Sequence, residues 1–476
     1  MLDDPLVKKA IEFSRLSLAG KKRYSGELFE DHCLKVAKIL ERYKITDPTT
    51  LSAAILHHSL KEGAATVEDL KKEFGDDIAE MIVTLESLSV IKITDIDAKN
   101  FAENLRRMFL VLAKDLRIVL IKLADILDNL KTLEYLRESK RVEISKTALE
   151  IFAPLAERLG MGEMKGDIQD LAFAQLNPEE YQRTVKILEK ELKSTEETLL
   201  KIRQELKQIL QKERVHFRLE GRAKHVYSLY LKLKRSENDF DISRIHDIIA
   251  FRVIVDTTEE CYRVLGIIHK LWRPLPDRIK DYIANPKPNG YQSIHTTIVG
   301  PDDQPFELQI RTEQMHQDAE YGIAAHWHYS EQKVKVSSKS ELNRKAFMTD
   351  DRLEWVKKLS DWQEEISDNE EFLKTVKTDF FGERIFVFTP KGEIKDLPIG
   401  ATPVDFAYKV HSDLGNKATG ARVNEKWVPL NTKLKNGDVC ELMVSKDPSK
   451  KPNKDWLRFV VTAEARKRIK KATSES

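Results

Sequence analysis

The sequence predicts a multidomain α + α/β protein, with an all-α part followed by a mixed-sheet domain and a small α+β domain. Three observations support this. Apolar residues recur at three- and four-residue spacing through residues 1–150, which is typical of amphipathic helices. Residues 216–335 contain near-continuous or alternating apolar runs, such as Ile248–Val255, which indicate strands. Residues 383–446 alternate short apolar segments with turn residues.

Charge balance and cysteine content narrow the class of protein. Lys and Arg total 80 and Asp and Glu total 78, so the net charge is only +2. Because the chain is not basic overall, we expect any contact with RNA to be local, and we expect no DNA binding. Cys33, Cys261 and Cys440 are isolated, fit no metal-binding spacing and indicate a reducing compartment. The N-terminus is acidic and amphipathic, and no apolar run is long enough to cross a membrane. We therefore expect a soluble, cytoplasmic protein of unknown oligomeric state.

Histidine and aspartate residues recur in the predicted helices of residues 1–150. Asp125 and Asn129 are four residues apart and share a helix face. His32 and the pair His57-His58 lie on other predicted helices. If these side chains converge, they would suit Mn²⁺ or Zn²⁺, but His and Asp residues are also scattered through helices by chance. The residues alone leave both interpretations open.

Residues 151–215 are predicted to form a helical connection that ends in a long, charged helix after Pro178. Its apolar residues follow near-heptad spacing: Val185, Leu188, Leu192, Leu199, Ile202, Leu206 and Ile209. A partner coiled coil would use such a stripe. Because the spacing is imperfect, packing against the chain's own domains is the favoured interpretation.

Basic residues followed by carboxylates between 221 and 311 indicate a site that handles phosphate. Arg222, Lys224 and Lys232 come first, and Asp247 and Glu307 lie at predicted strand positions. Two carboxylates on one sheet can hold Mg²⁺, whose remaining ligands are water and substrate phosphate. The alternative is that both acids are structural members of ion pairs.

Two alternating segments of this domain predict which side chains share a face. In Phe306–Arg311, Glu307, Gln309 and Arg311 should lie opposite the apolar residues between them. In the segment after Gly290, Tyr291, Ser293 and His295 should project together. An aromatic ring beside a histidine and basic residues such as Lys280 suits a purine nucleotide, although ordinary sheet packing is the alternative.

In order, the segments GRAKHVYSLYLKLK, HDIIAFRVIV, DYIANPKPNGYQSIHTTIVG and FELQIRTEQMHQDAEYGIAAHWHY closely resemble the synthetase domain of the long RelA/SpoT-homologue family of alarmone enzymes. The resemblance implies a nucleotidyltransferase-like fold in residues 216–335. It also implies transfer of pyrophosphate from ATP to the 3′-hydroxyl of GDP or GTP, giving ppGpp or pppGpp and AMP, in a stringent-response-like pathway.

The same resemblance implies a role for individual residues. Arg222, Lys224 and Lys232 match positions that contact ATP phosphates, and Lys280, Lys287, Tyr291 and His295 match positions that contact GDP or GTP, with Tyr291 stacked on guanine. Asp247 and Glu307 match the catalytic carboxylates that hold Mg²⁺, and Glu307 would also accept the proton of the attacking hydroxyl. The segment Arg278–Asp281 matches the Arg-x-Lys-Asp pattern of bifunctional members, which implies that GDP serves at least as well as GTP.

The segments KKRYSGELFEDHCLKVAKIL, AAILHHSLKEG and IVLIKLADILDNLKTL resemble the HD-type hydrolase domain of this family, which implies an HD-type domain at residues 1–150. The matching site residues are Arg23, His32, His57, His58, Asp125 and Asn129. Where the family has His-Asp and then Glu-Asp, this chain has His57-His58 and Lys61-Glu62. Lys61 replaces a carboxylate that manages the attacking water, so we expect hydrolysis of ppGpp to be lost. Binding of Mn²⁺ stays open, and a bifunctional enzyme with residual Mn²⁺-dependent hydrolysis is the alternative.

The C-terminal part is predicted as a charged linker at 336–382 containing Trp355 and Trp362, the small α+β domain at 383–446, and a basic tail at 447–476. The domain should have a turn at Thr389–Gly392, a helix near Val404–Val410, and further turns at Gly420 and Asn436-Gly437. It closely resembles the TGS domain of the same family, which implies contact with the ribosome or tRNA. The loop DLGNKATGARV lacks the His and Cys typical of tRNA-contacting members, so a regulatory packing module is the alternative. A non-catalytic ribosome- or tRNA-binding regulator would rest on this domain and the tail alone.

Overall fold

The computed structural model describes the chain from residue 3 to residue 474 with gaps. The described residues are 3–89, 103, 105–106, 108–111, 114–235, 240–242, 245, 248–287, 289–325, 366, 368–380, 382, 384–447 and 449–474. They fall into two compact units, Met1–Ser360 and Asp361–Ser476. Asp247, Trp355, Trp362 and most of the predicted linker lie outside the described residues. No helix within the described ranges is long and apolar enough to cross a membrane.

The first unit begins with helices, as predicted. They are α1 (Pro5–Ser17), α2 (Phe29–Arg42), α3 (Pro48–Leu56), α4 (Val67–Ser89, interrupted at Gly75) and α5 (Leu116–Leu130). Asp4, Asp47 and Asp115 each accept a hydrogen bond from a backbone N–H of the first turn of α1, α3 and α5, which satisfies a donor that the helix cannot pair itself. Helix α3 is fully buried against its neighbours, so its C-terminal end at His57 is fixed deep inside the domain.

The predicted helical connection follows. It comprises α6 (Glu138–Thr147), a π-helical turn (Ala148–Phe152), α7 (Ala153–Arg158), α8 (Gly162–Leu176) and α9 (Pro178–Lys212). The apolar stripe of α9 packs within the chain, because Ile202, Leu206 and Leu210 belong to the core of the sheet domain. Leu188 and Leu192 pack against the helix after β1. The favoured interpretation of the stripe is therefore confirmed.

A mixed five-stranded sheet follows within the described part of this unit. Its strands are β1 (Arg218–Ala223), β2 (Ile249–Val255), β3 (Pro274–Asp281), β4 (Ile294–Val299) and β5 (Pro305–Thr312), in the order β1-β2-β5-β4-β3. Helices α10 (Val226–Leu233), α11 (Thr258–Leu271) and α12 (Glu313–Tyr321) connect or follow them. Only β2 and β5 pair in parallel.

The two faces of this sheet differ in chemistry, as the alternation of β5 predicted. Phe306, Leu308 and Ile310 join the apolar core with α9 and α11. On the other face, strand register aligns side chains in rows. One row runs Arg222, Ala250, Glu307, Thr297, and the next runs Glu220, Arg252, Gln309, His295, Lys280. Residues far apart in sequence are thus neighbours on one polar surface.

The second unit contains the predicted small α+β domain. Its elements are α13 (Asn369–Thr375), β6 (Arg384–Phe388), β7 (Ile394–Pro398), α14 (Pro403–Val410), α15 (Ser412–Lys417), β8 (Ala418–Val423), β9 (Lys426–Val428), β10 (Cys440–Val444) and α16 (Ala463–Ser474). Strands β6 and β7 form a hairpin, and the second sheet has the order β10-β8-β9. The turns at Gly392 and Gly437 and the helix at α14 are confirmed.

Three details of this unit differ from the sequence prediction. Gly420 lies inside β8 and not in a turn. A Cβ there would lie 3.3 Å from the Trp427 ring, so the glycine makes room for that ring, and the turn is formed by Asn424 and Glu425, which have positive φ. The basic tail is not merely solvated, because Trp456 and Ile469 pack against α14. The end of the predicted linker is helical at α13 and at Val376–Phe380.

The start of the predicted loop DLGNKATGARV is helical, because residues 413–417 belong to α15. A Cβ on Gly415 would lie 2.4 Å from the Tyr408 ring, so only glycine fits there. Tyr408 in turn donates its hydroxyl hydrogen bond to Asn416. These contacts fix α15 against α14 within this unit.

Candidate active site and candidate metal centre

A cavity of about 280 Å³ opens on the polar face of the sheet domain. The sheet contributes Arg222, His295 and Gln309, and the segment between β3 and β4 contributes Lys287 and Tyr291. All of these except Gln309 are site residues that the sequence indicated. Helices α7, α8, α10 and α12 close the other sides through Glu157, Lys165, Gly166, Gln169, His225, Ser228, Asp318, Ala319 and Glu320. The cavity therefore lies between the sheet and the helical connection.

A chain of hydrogen bonds links three of the predicted residues. The Tyr291 hydroxyl lies 2.7 Å from His295 Nε2, and His295 Nδ1 lies 3.2 Å from Glu307 Oε1. Gln309 Nε2 donates to the same carboxylate oxygen at 2.7 Å. Burial lowers the pKa of His295, although Glu307 opposes this. A neutral imidazole that accepts from Tyr291 and donates to Glu307 fits these distances.

Lys287 is held between two aromatic rings. Its ammonium nitrogen lies 4.7 Å from the centre of the Tyr282 ring and 5.0 Å from that of Tyr291, within the range of cation–π attraction. Burial lowers the pKa of Lys287. Tyr291 therefore already uses one ring face and its hydroxyl within the protein.

The predicted convergence of three side chains after Gly290 is only partly correct. Strand β4 begins at Ile294, so Tyr291 and Ser293 precede it. Tyr291 and His295 do meet. Ser293 is fully buried, and its hydroxyl donates to the carbonyl of Ile310. Tyr291 instead closes a turn that begins at Lys287, and the alternating strand starts only at Ile294.

A buried cluster of arginines adjoins the cavity. Arg252 Nη1 and Arg311 Nη2 lie 3.1 and 3.2 Å from Glu320 Oε1. Burial, followed by repulsion from Arg311, lowers the pKa of Arg252 to about 10. Together with Arg222, these side chains give an excess of positive charge that suits a polyphosphate. The sequence analysis missed Arg252 and Glu320, although an arginine inside an apolar strand is an available signal.

Helix α8 positions α10 at the rim of the cavity. Asp170 accepts hydrogen bonds from the backbone N–H groups of Val226 and Tyr227, and it lies 2.9 Å from His225 Nδ1. The His225 ring fits against α8 because residue 166 is glycine, since a Cβ there would lie 2.2 Å from Nε2. The sequence analysis assigned α8 to a connection and missed this contribution.

The cavity lining does not include four of the described residues that the sequence indicated, Glu307, Lys224, Lys232 and Lys280. Glu307 contacts the lining residues His295 and Gln309. Lys224 and Lys232 are partly buried, and the backbone N–H of Lys224 bonds to Ile248, which extends the pairing of β1 with β2. Lys280 is exposed and pairs across the sheet with His295. Asp247 lies outside the described residues, but strand β2, which follows it, runs beside β5 with Ala250 opposite Glu307.

A second cluster lies in the N-terminal helices. One ligand atom from each of His32, His57, His58 and Asp125 lies within 4.8 Å of the corresponding atom of every other member. Within the described part of the chain, His32 Nε2, His57 Nε2 and His58 Nδ1 are buried and have no hydrogen-bond partner. Unpaired buried imidazole nitrogens beside a carboxylate are the donors that a divalent transition metal requires.

Neighbouring groups orient these ligands. His32 Nδ1 lies 2.7 Å from Asp128 Oδ2, and His57 Nδ1 lies 2.6 Å from the carbonyl oxygen of Ala54, which turns both Nε2 atoms towards Asp125. Burial lowers the pKa of His57 to about 4, and it lowers that of His58 well below its usual value. Both rings are therefore neutral and carry lone pairs at neutral pH.

Arg23 and Asn129 lie beside this cluster, as the sequence indicated, but they form its outer contacts. Asn129 donates to Asp125 Oδ1 at 2.7 Å, and Arg23 donates to Asn129. Lys122, which the sequence analysis did not select, pairs with Asp125 Oδ2 at 2.8 Å. Lys61 is exposed, and its charge adds to the lowering of the pKa of His58.

Three protein-family models match the chain in succession. An HD domain matches residues 10–162, the region found in RelA/SpoT proteins matches residues 221–334, and a TGS domain matches residues 385–444. HD and RelA/SpoT domains generally use divalent metals. The donor set of the N-terminal cluster fits such an ion.

Similar proteins match almost the whole chain. A GTP pyrophosphokinase of Myxococcus xanthus is 43% identical over 98% of this chain and 60% of its own length. A GTP pyrophosphokinase of Streptomyces antibioticus is 42% identical over 98% of this chain and 55% of its own length. The bifunctional (p)ppGpp synthase/hydrolase SpoT of Escherichia coli is 41% identical over 98% and 64%. The chain thus spans somewhat more than half the length of these relatives.

Among solved structures, the small alarmone synthetase 2 of Bacillus subtilis is 25% identical, covering 37% of this chain and 98% of that one, with a TM-score of 0.25. The three family models match in order at the places where the helical cluster, the mixed sheet and the small α+β unit are found, so the chain is similar in its domain order to RelA/SpoT proteins.

Proposed function

We propose that the protein is a (p)ppGpp synthetase that transfers pyrophosphate from ATP to the 3′-hydroxyl of GDP or GTP. The observation that carries this proposal is the chain of contacts from Tyr291 through His295 to Glu307, at a cavity that Tyr291, His295 and Arg222 line. It combines a proton acceptor, an aromatic ring and fixed cations, the groups that transfer between two nucleotides requires. The names of relatives over 40% identical support the same activity.

In this reaction, Glu307 takes the proton from the 3′-hydroxyl as it attacks the β-phosphorus of ATP, and AMP leaves. Gln309 and His295 both contact Glu307 Oε1, so the orientation of the carboxylate is fixed before substrate arrives. Arg222, with Arg252 and Arg311 behind it, neutralises charge on the transferred group. Lys224 and Lys232 serve ATP phosphates, and Lys280, Lys287 and Tyr291 serve the acceptor nucleotide.

Mg²⁺ is the proposed cofactor of this site. Glu307 and Asp247 would hold it, because carboxylate oxygen is the ligand that Mg²⁺ prefers. Glu307 lies on β5, beside the parallel strand β2 that follows Asp247 in the sequence. Bound there, the ion would neutralise charge on the pyrophosphoryl group.

Lys280 supports GDP as an acceptor at least as good as GTP. It is exposed at the edge of the sheet, opposite His295, and an ammonium there can meet nucleotide phosphate directly. An acidic side chain at this position would need a metal ion between its carboxylate and the nucleotide phosphate. Comparison of initial rates with both acceptors checks this preference, and a tenfold advantage for GTP would contradict it.

We further propose that the HD domain does not hydrolyse ppGpp, since Lys61 stands where a proton acceptor is needed. Mn²⁺-dependent hydrolysis is the alternative. A cytoplasmic location and contact of the TGS domain with the ribosome or tRNA complete the proposal. Cosedimentation with ribosomes checks the latter, and no cosedimentation would favour the alternative of a regulatory packing module.

Glu307→Gln tests the proposed catalytic role. We expect the transfer rate to fall by about two orders of magnitude or more, because an amide cannot accept the proton. Glu313→Gln is the matched control, since Glu313 lies at the start of the helix after β5 and pairs with half-exposed Arg218. A folded Glu307→Gln protein with near-normal transfer would refute the assignment.

A further inference from the structure

The cluster of His32, His57, His58 and Asp125 has a donor set that discriminates between metals. Three of its four donors are imidazole nitrogens and one is a carboxylate. Imidazole suits Zn²⁺ and neighbouring transition metals, whereas Mg²⁺ and Mn²⁺ favour carboxylate, carbonyl and water oxygens. We propose that this cluster is a Zn²⁺-class site that is closed by four protein ligands and stabilises the HD domain. The proposal does not depend on the synthetase activity.

The distances support four-coordinate binding. Zinc–nitrogen bonds of about 2.0–2.1 Å in a tetrahedron place ligand atoms roughly 3.4 Å apart. His32 Nε2 already lies 3.4 Å from Asp125 Oδ1, and His57 Nε2 lies 4.0 Å from the same oxygen. With all four ligand atoms within 4.8 Å of one another, small side-chain movements complete the tetrahedron.

Asp125 can offer the metal only one oxygen. Its Oδ2 pairs with Lys122 at 2.8 Å, and its Oδ1 accepts from Asn129 while facing His32 and His57. A bidentate carboxylate, which larger oxygen-preferring ions use, is therefore disfavoured. Lys122 also lowers the attraction of the site for a cation held by charge alone, which leaves the imidazole bonds as the main source of affinity.

The ligands are positioned before a metal arrives. His32 and His57 are fixed through Nδ1 by Asp128 and by the carbonyl of Ala54. The His58 ring lies 4.2 Å from that of His57 and 4.7 Å from that of Phe29. Metal binding therefore requires little loss of side-chain conformational entropy. It also gives a partner to buried imidazole nitrogens that have no hydrogen bond among the described residues.

The positions of the ligands in the fold explain the stabilising role. His32 lies in α2, Asp125 in α5, and His57 and His58 follow α3, so one ion joins three helices. A site with four protein ligands has no open position for a water nucleophile. The site would therefore hold the helices together without catalysing hydrolysis.

Metal binding by the full chain tests the proposal without relying on enzymatic activity. After removal of metal with a chelator, we expect one Zn²⁺ per chain to rebind far more tightly than Mn²⁺ in chelator competition, and to raise the unfolding temperature. Co²⁺ should give the intense visible absorption of a tetrahedral complex, which Zn²⁺ then abolishes. Equal affinity for Mn²⁺ and Zn²⁺, an octahedral Co²⁺ spectrum or no stoichiometric binding would overturn the proposal.

One substitution and a matched control test whether His58 sets the preference of the site for Zn²⁺ over Mn²⁺. His58→Asp should narrow the ratio of Zn²⁺ to Mn²⁺ affinity by about tenfold or more, because an oxygen donor replaces an imidazole. The matched control is His216→Gln, which changes an exposed histidine paired with Asp256 outside the cluster and should leave the ratio unchanged. An unchanged ratio of Zn²⁺ to Mn²⁺ affinity in a folded His58→Asp protein would overturn the role of His58. If that variant does not fold, the Co²⁺ spectrum of the unsubstituted chain decides whether the site is tetrahedral.

Discussion

At the scale of single residues, the sequence identified the types of side chain better than their contacts. Tyr291, His295 and Glu307 were selected from spacing and resemblance, and the structure links them by contacts from Tyr291 to His295 and from His295 to Glu307. The order in which they are linked could not be predicted, because it depends on the register of β4 with β5 and on the path of the chain through Tyr291 before β4 begins at Ile294. Arg252 and Glu320 were missed because their pairing joins elements almost seventy residues apart.

The hydroxyl of Tyr291 should contribute to the rate of transfer, and its ring should contribute to binding of the acceptor nucleotide. Tyr291→Phe removes the hydrogen bond to His295 but keeps the ring, so we expect the transfer rate to fall by only about tenfold. Tyr291→Ala also removes the stacking surface and the contact with Lys287, and should raise the KM for the acceptor nucleotide markedly. Steady-state kinetics with varied acceptor concentration measure both. Equal defects in the two variants would contradict a role for the ring.

His316 should make the synthetase domain sensitive to acid. Burial, followed by repulsion from Arg311, lowers the pKa of His316 from 6.5 to about 4. The unfolded chain therefore binds the proton first as the pH falls, so this contribution to stability is intact above 6.5 and is lost progressively towards pH 4. Urea unfolding of the unsubstituted chain and of His316→Gln measures it. If the free energy of unfolding changed with pH by the same amount in both proteins, His316 would not be the group responsible.

At the scale of elements, helix α8 shows the limit of a sequence assignment. Its helical character was predicted from the pattern of residues 151–215, but its role in the cavity was not. That role depends on Asp170, which caps α10, and on Gly166, which admits the His225 ring. Neither residue carries a signal in sequence, since both contacts exist only when α8 and α10 are packed together.

Gly166→Ala tests this role of α8. In open space such a change in a helix stabilises by about 1 kcal/mol, but here the new Cβ would lie 2.2 Å from His225 Nε2 and must displace the ring. We expect a lower transfer rate and a lower unfolding temperature. Gly266→Ala is the matched control, because a Cβ on this glycine of α11 meets nothing within 4 Å. If the two variants behave alike, the positioning role of α8 is wrong.

At the scale of the whole molecule, the order of the three domains was predicted correctly from resemblance, and the family models confirm it. The first unit also contains direct contacts between the HD helices and α8. Tyr43 donates to Asp167 at 2.8 Å, and Arg42 pairs with Glu163 at 2.7 Å. The HD domain thus contacts the helix that lines the candidate active site, a connection that no local sequence pattern contains.

The domain arrangement predicts a regulatory HD domain without hydrolase activity. We expect no release of pyrophosphate from ppGpp with Mn²⁺, and a changed rate of synthesis when residues 1–150 are deleted, because α8 then loses Tyr43 and Arg42. Product chromatography and the transfer assay measure the two effects. Mn²⁺-dependent hydrolysis that His57→Ala abolishes would contradict the first expectation, and an unchanged rate in a stable truncated protein would contradict the second.

The central claim is transfer of an intact pyrophosphoryl group. The most direct test incubates the purified chain with Mg²⁺, GDP and ATP labelled in the γ-phosphate, and follows all nucleotides over time. We predict that ppGpp carrying the label in its 3′-pyrophosphate appears in equal amount with AMP, and that no ADP accumulates. Formation of ADP in place of AMP would contradict the account, and so would the absence both of labelled ppGpp with GDP as acceptor and of labelled pppGpp with GTP as acceptor.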